Sequence, residues 1–245
     1  MARIALYLII AAALATGAVF AAIPRLDVEV AGYFARPDVK AVVQDLNPVF
    51  QAIRTCNNTL VVVIVGLALG SIAFKVIWPR GPMLMPARAA LLIIGTFALG
   101  PALLANGILK AYWSRPRPIE VMDGGTLPFV QWWDPRGACD GNCSFVSGEA
   151  SAAYAMLAPA VALPSPWRAL AIGAALVYGT TIGLVRMARG GHFLSDVIFA
   201  GIFTALVVWL LHGLFYRWRR TRLSEKKFEK AGLAIRAKYA KQPTR

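Results

Sequence analysis

Six long apolar segments constrain this chain more than any other feature of its sequence. A helix needs about 20 mainly apolar residues to cross the hydrocarbon core of a membrane. Of the 245 residues, 58% are hydrophobic and 16% are charged, which is too apolar for an ordinary soluble domain. The chain is therefore predicted to be an all-α integral membrane protein, a six-transmembrane-helix bundle. The predicted spans are 4–23, 60–78, 89–108, 150–163, 169–184 and 193–216.

The first apolar segment allows a second interpretation. Arg3 precedes it, and the small residues Ala21 and Ala22 stand near its end, which is also the pattern of a cleaved signal peptide. We favour a retained helix. The chain then divides into a six-helix membrane domain at 1–216 and a basic tail at 217–245.

The positive charges of the chain are unevenly placed. The formal net charge is +14, and the tail alone contributes eleven Lys or Arg against two Glu. Lys and Arg in short loops resist translocation, so the tail, the connection with Arg80 and Arg88, and the turn with Arg168 are predicted to be cytoplasmic. Both termini then lie inside, and the connections 24–58 and 110–149 face outward. A basic membrane flank predicts a lipid bilayer as partner and no nucleic acid, and no protein partner can be inferred.

The first outward connection carries an amphipathic pattern. Val39, Val42, Val43 and Leu46 recur at helical spacing, and Pro37 stands near the start of this segment. The pattern predicts an interfacial helix that lies along the membrane surface. Two roles stay open for it: a lid that packs on the bundle, or a guide for a lipid.

Polar clusters stand at the outer ends of three predicted helices. In the first cluster, six residues separate Lys110 from Arg117, and Pro118 follows. Pro116 and Pro118 end the helix and fix the direction of the backbone, so the two cations can converge on one anion. The alternative is that both cations are interface anchors whose charged ends reach the water.

The second cluster leads directly into the fourth apolar segment. Ser147 and Gly148 are small residues at a predicted helix N-terminus, where unpaired N–H groups and the helix dipole favour a phosphate. The alternative is that Ser147 is an ordinary N-cap. Glu149 follows these two residues.

The third cluster places a histidine and a carboxylate on one helix face. His192 and Asp196 are four residues apart, so the carboxylate can hold the imidazole in one tautomer and leave the other nitrogen free as a nucleophile or base. Gly190 and Gly191 allow a tight turn that brings Arg186 back over this pair.

Together the clusters resemble the three-part signature of the type 2 phosphatidic acid phosphatase superfamily. That signature is Lys, six residues, Arg-Pro; then Ser-Gly-His; then Arg, five residues, His, three residues, Asp. The first and third parts match fully, at 110–118 and 186–196. The stretch Cys-Ser-Phe-Val-Ser-Gly-Glu-Ala-Ser at 143–151 is similar to a branch that includes lipid A phosphatases.

The resemblance implies a membrane lipid phosphatase without metal or cofactor, in a bacterial inner membrane with its site on the periplasmic side. The phosphoryl group would pass to His192, oriented by Asp196, and water would then hydrolyse the phosphohistidine. Phosphoryl transfer depends mainly on positioning and on neutralised oxygen charge. The phosphate-binding residues would be Lys110, Arg117, Ser147, Gly148 and Arg186.

One position departs from the signature. Glu149 stands where the superfamily has the histidine that protonates the leaving oxygen. We favour a catalytic role for Glu149, as a general acid or in positioning water. The alternative is that it contacts the headgroup or holds one of the basic residues.

The substrate class follows from the resemblance. Lipid A or a related glycolipid is preferred to undecaprenyl diphosphate or phosphatidylglycerol phosphate. A lipid phosphotransferase is a second possibility, and a lipid-phosphate binder or transporter is the non-enzyme alternative.

Two further expectations concern residues outside these clusters. Cys139 and Cys143 can close a short disulfide if their connection faces an oxidising compartment, although their spacing does not enforce it. His212, far along the last apolar segment, lacks partners in any outer cluster and is predicted to be structural.

Overall fold

The computed structural model describes residues 2–78, 81, 83–122 and 124–224, and the regular secondary structure in these residues is helical. Five helices are long and apolar enough to cross a membrane, which confirms the all-helical membrane fold. The predicted inner residue Arg80 and residues 225–245 of the tail lie outside the described residues. The helices are α1 (Ala2–Ala22), α2 (Arg25–Ala35), α3 (Pro37–Asp45), α4 (Asn47–Ile77), α5 (Ala87–Tyr112), α6 (Pro118–Val121), α7 (Gly148–Tyr154), α8 (Leu157–Ala162), α9 (Trp167–Ala188) and α10 (Leu194–Arg217).

Large apolar side chains cover the outside of the long helices. Leu8 of α1 is 65% exposed, Val62 of α4 71% and Val177 of α9 68%. Soluble monomers rarely expose continuous apolar surfaces of this kind. Lipid is therefore the solvent that these helix faces require.

Helix α4 is longer than the predicted second span. It has 31 residues, and at 1.5 Å per residue its length of about 46 Å exceeds the roughly 30 Å of a hydrocarbon core. Pro48 lies in its first turn, where proline is tolerated, and neither proline nor glycine follows before Gly66. The extra turns bring Arg54 and Asn58 to the polar end of the bundle.

The fourth predicted span is divided between two short helices, α7 and α8, with a turn at Ala155 and Met156 between them. Together they extend about 22 Å at helical rise, less than a hydrocarbon core. Ala150, Ala153 and Ala158 are fully buried, since α7 and α8 lie in the middle of the bundle against α5, α9 and α10. Their small side chains allow this close packing. The number of six spans stays a prediction.

The connection 24–58, which is predicted to face outward, contains two helices before α4. Helix α3 begins at Pro37, which confirms the predicted amphipathic helix, and its Val42 is 55% exposed. Helix α2, which precedes it, was not predicted, although its apolar residues Leu26, Val30 and Phe34 recur every four residues. Its Asp27 is 2% exposed and inserts into the bundle.

Candidate active site

His192 lies in the turn between α9 and α10 and is 2% exposed. Gly190 gives this turn a backbone φ of +65°, a conformation that glycine adopts without strain. The Nδ1 atom of His192 lies 2.7 Å from the Ser144 carbonyl oxygen. Because a carbonyl can only accept, Nδ1 carries the proton and Nε2 keeps its lone pair. Burial lowers the pKa of His192, so the ring is neutral at physiological pH.

Asp196 is buried at the start of α10 and is surrounded by donors. Its Oδ2 accepts from the Ser144 hydroxyl at 2.5 Å and from the Phe193 N–H at 2.8 Å, and its Oδ1 accepts from Arg115. The same Oδ2 lies 3.7 Å from His192 Nδ1. The carboxylate therefore acts on the ring by its charge and through Ser144, while the Ser144 carbonyl makes the direct hydrogen bond.

A polar cavity of about 590 Å³ lies at this end of the bundle, next to the histidine turn. Five of the predicted site residues line it, so helices far apart in sequence bring them together. These residues are Lys110, Arg117, Gly148, Glu149 and Arg186.

Several other residues of this cavity were not predicted from the sequence. Arg54 and Asn58 come from the extended part of α4, Asn106 from α5, Asn142 from the connection 110–149, and Arg189 from the end of α9. Each stands alone in the sequence, without a partner at a diagnostic spacing. A signal for Arg54 would have been the helical continuity of α4 beyond its apolar portion.

In the connection 110–149, one residue binds two of the cations. Asn142 accepts from Arg117 Nη2 through its carbonyl oxygen at 2.6 Å and from Lys110 Nζ through its side-chain oxygen at 3.3 Å. Cys139 and Cys143 form the predicted disulfide, with Cα atoms 5.8 Å apart. The bond closes the short loop that contains Asn142.

Ser147 and Gly148 take different positions at the start of α7. Ser147 is fully buried, its Oγ accepts from the Ala150 N–H at 3.4 Å, and its own N–H donates to the Asp196 carbonyl oxygen. This is the N-cap arrangement that the sequence left as an alternative. Gly148 lines the cavity, and a Cβ there would come within 2.4 Å of Asn106 Oδ1.

Glu149 is paired with two arginines. Its Oε1 lies 3.1 Å from Arg54 Nε, and its Oε2 lies 3.7 Å from Arg186 Nε. The distance to Arg186 is too long for a hydrogen bond. Among the described residues, Arg186 Nε has no hydrogen-bond acceptor although it is buried. An anion in the cavity would supply that acceptor.

A second buried network adjoins Asp196. Arg115 is fully buried and is bonded to Asp196, to Ser195 Oγ at 2.9 Å and to Asp27 Oδ2 at 2.8 Å. Sequence reasoning missed it because Arg115 lies between the signature residues of the first cluster and Asp27 lies in a connection with balanced charges.

His212 stacks on Tyr216, with ring centroids 4.7 Å apart, far from the cavity along α10. This position agrees with the structural role predicted for it. Within the described ranges, no three or more His, Cys, Asp or Glu residues form a group that could hold a metal ion.

The fold and the cavity define a class of protein: a multi-pass helical membrane protein with cations gathered beside a neutral, buried histidine. Residues 89–220 match the PAP2 superfamily, the type 2 phosphatidic acid phosphatases, and the chain belongs to this superfamily.

Relatives with established names match about half of the chain. The lipid A 4'-phosphatase of Francisella tularensis subsp. novicida (strain U112) is 42% identical over 125 residues, which are 49% of this chain and 54% of that protein. The lipid A 4'-phosphatase of Rhizobium leguminosarum is 38% identical over 116 residues, 47% of this chain and 49% of that protein. The chain thus spans about half the length of these curated relatives.

A solved structure extends the likeness to most of the chain. It is the crystal structure of a transmembrane PAP2 type phosphatidylglycerolphosphate phosphatase from Bacillus subtilis, with a TM-score of 0.56. The match covers 87% of this chain and 98% of that one at 21% identity. At this identity the comparison shows the shared fold.

Proposed function

We propose that this protein is a lipid phosphatase that removes phosphate from a membrane lipid through a phosphohistidine intermediate. The observation that carries the proposal is the state of His192, whose Nδ1 is bound to the Ser144 carbonyl so that Nε2 is free. Lys110 and Arg186 line the adjacent cavity and are close enough to help lower the pKa of His192. A nucleophile beside several cations suits attack on a phosphate.

The reaction would take two steps. In the first, His192 Nε2 forms a bond to phosphorus while the bond from phosphorus to the lipid oxygen breaks, and the leaving oxygen takes a proton from solvent water in the cavity. In the second, water attacks the phosphohistidine and gives up a proton to solvent, the bond from nitrogen to phosphorus breaks, and inorganic phosphate leaves. Lys110, Arg117 and Arg186 would balance the charge on the phosphoryl oxygens in both steps.

Asp196 would keep the imidazole in its reactive form. Its negative charge, 3.7 Å from Nδ1, stabilises the positive charge that the ring gains when Nε2 attacks. The hydroxyl that Ser144 donates to Asp196 also holds the carbonyl that fixes the tautomer of His192.

The geometry at Glu149 favours the holding role over the acid role. A carboxylate between Arg54 and Arg186 keeps both guanidinium groups at the cavity wall. Service as a general acid would require the substrate to displace these ion pairs. Glu149 is therefore proposed to position the two arginines.

Lipid A is the favoured substrate. The similar proteins from Francisella and Rhizobium are named lipid A 4'-phosphatases. The cavity is also large for a single phosphate, and the amides of Asn58, Asn106 and Asn142 line it. Amide groups both donate and accept hydrogen bonds, as recognition of sugar hydroxyls requires. We propose that the site faces the periplasm from a bacterial inner membrane, with both termini in the cytoplasm.

The deciding experiment is phosphate release by the purified full-length protein from lipid A, undecaprenyl diphosphate and phosphatidylglycerol phosphate, with and without a chelator. We expect release from lipid A that is insensitive to the chelator. His192→Ala should abolish it while the protein remains folded in the membrane, because alanine cannot accept a phosphoryl group. Equal activity in that variant would refute the mechanism. Binding of these lipids without phosphate release would indicate a binder or transporter.

A further inference from the structure

Asp27 is a buried carboxylate from the first outward connection that reaches the start of α10. It is 2% exposed and lies 168 residues from its partner Ser195 in the sequence. Its Oδ1 accepts from the Ser195 N–H at 2.9 Å, and its Oδ2 accepts from the Ser195 hydroxyl at 2.5 Å and from Arg115 at 2.8 Å. Burial raises the pKa of Asp27, but all three contacts are donors, which suits the ionised form.

The contacts of Asp27 satisfy groups that α10 cannot satisfy itself. The first N–H groups of a helix lack intrahelical acceptors, and the Ser195 N–H is one of these. Asp27 supplies the acceptor from a distant segment of the chain. An N-cap residue normally supplies such an acceptor from the position just before the helix. His192 stands just before this first turn, and Asp196 lies within it. Asp27 is thereby connected to the part of α10 that carries the reaction.

Arg115 connects the two buried carboxylates. It is fully buried, pairs with Asp27 and Asp196, and lies over the Phe193 ring with its guanidinium carbon 4.4 Å from the centroid. Lysine could not replace it, because only the planar guanidinium offers donors in several fixed directions. The position of Asp196 therefore depends on a cation that Asp27 helps to hold.

The charges of this network favour the proposed chemistry. Asp27 and Asp196 share the one guanidinium of Arg115, so one negative charge is in excess among these three groups. When His192 Nε2 attacks phosphorus, the ring becomes positively charged beside Asp196. A fixed negative charge in a buried region stabilises that developing charge.

We propose that Asp27 is a positioning residue for phosphoryl transfer, which through Arg115 and Ser195 fixes Asp196 and the His192 turn. The inference rests on the proposed function of the site. Asp27 lies outside residues 89–220, the part that matches the superfamily. The first outward connection thus supplies a residue that supports the active site.

The test compares kcat and KM of the full-length protein in detergent for lipid A, or for phosphatidylglycerol phosphate if that lipid is the better substrate. Asp27→Asn keeps the size of the side chain but removes its charge and presents an NH₂ group to donors. We expect kcat to fall on the order of 100-fold, as for a misplaced reacting group. KM should stay within about twofold, because the cavity residues that bind phosphate are untouched.

Glu29→Gln is the matched control on the same helix. Glu29 is exposed, and its ion pair is with the exposed Arg25. This variant should retain the kcat and KM of the parent. Folded protein is measured by size-exclusion chromatography and thermal midpoint, and kcat is calculated per folded molecule. A purely structural Asp27 would change the thermal midpoint and leave kcat of the folded fraction unchanged.

Ser195→Ala keeps the test decisive if Asp27→Asn does not accumulate. It leaves both carboxylates and Arg115 in place and removes the hydroxyl between them, so kcat should fall about tenfold, the effect of one hydrogen bond. Parental kcat in folded Asp27→Asn would overturn the inference. If that variant does not fold, parental kcat in Ser195→Ala would overturn it.

The parent and His192→Ala are measured in the same assay to separate the two ideas. An inactive parent, or a His192→Ala variant as active as the parent, would refute the proposed function. An active parent, an inactive His192→Ala and parental kcat in Asp27→Asn would refute the role of Asp27 alone.

Discussion

The chemical state of one residue, His192, follows from its immediate neighbours. The Ser144 carbonyl fixes the proton on Nδ1, and burial disfavours the charged ring. Asp196 opposes burial by favouring the cation, whereas Lys110 and Arg186 act with burial. The balance lowers the pKa, so the ring is ready to attack without first losing a proton.

This balance predicts an unusual acid limb in the pH profile. In the proposed mechanism the neutral ring is the nucleophile, and a pKa below the ordinary histidine value of about 6.5 keeps the ring neutral at lower pH. We expect kcat/KM to stay constant as the pH is lowered from 7 to below 6.5, and to fall only at lower pH. The measurement is kcat/KM against pH, corrected for the ionisation of the substrate phosphate, which is titrated separately. An enzyme midpoint at or above 6.5 would contradict the lowered pKa.

Glu149 offers a second prediction at the scale of a residue. If it holds Arg54 and Arg186, Glu149→Gln weakens both ion pairs and should raise KM about tenfold with little change in kcat. The effect should be equal for an alkyl phosphate and a diphosphate. Asp38→Asn, which breaks an exposed pair with Arg36, is the control and should change neither constant.

The acid role would give a different result in the same experiment. A general acid matters most when the leaving group is poor. A large fall in kcat for the alkyl phosphate and a small fall for the diphosphate would therefore support the catalytic role of Glu149.

At the scale of elements, glycines allow the helices at and below the cavity to approach each other closely. Gly148 begins α7 beside Asn106 of α5, and Gly179 of α9 faces the Tyr154 ring of α7. A Cβ at Gly148 would lie 2.4 Å from Asn106 Oδ1. A side chain at this position would therefore require Asn106 or α7 to move, independently of any contact with phosphate.

Gly148→Ala should separate α7 from α5. Relief of the clash requires Asn106 or the helix to move, and such overpacking costs about 1–3 kcal/mol. We expect a lower thermal midpoint in detergent and a reduced kcat. Gly173→Ala in α9 is the matched control, because a Cβ there meets nothing within 4 Å. An unchanged thermal midpoint and activity in Gly148→Ala would show that Asn106 or α7 can move at no cost in stability.

At the scale of the whole molecule, basic residues lie at both ends of the bundle. The cavity with Lys110 lies where α5 ends, whereas Arg88 lies where α5 begins, with its guanidinium carbon 4.7 Å from the Tyr216 ring centroid. Arg168 lies in the first turn of α9 and donates a hydrogen bond from Nε to the Leu163 carbonyl oxygen. The positive-inside rule predicts that the end with Arg88 and Arg168 is cytoplasmic.

The orientation can be tested with reporters at the two ends. A cytoplasmic reporter fused after Arg245 should be active, and a tag inserted near Gly141 should react with an impermeant reagent in cells whose outer membrane is permeable. The physical reason is the cost of moving the basic tail across the membrane. The reverse labelling would place the cavity in the cytoplasm and refute the proposed periplasmic site.

The sequence by itself determined the helical membrane fold and selected five of the residues that line the cavity. Apolar runs report a lipid environment directly, and His192 and Asp196 share a helix face whatever surrounds them. Regular spacing also brought Lys110 and Arg117 to one helix end. These features depend on residues close together in the chain, where helical geometry fixes their relation.

Only the tertiary structure decided which distant residues became partners. Asp27 reached Arg115, Arg54 reached Glu149, and the Ser144 carbonyl oxygen accepted the hydrogen bond from His192 Nδ1. None of these pairs has a spacing that a helix or turn prescribes. They form because packing of the helices brings charged groups together at the polar end of the bundle, where a buried charge must find a partner.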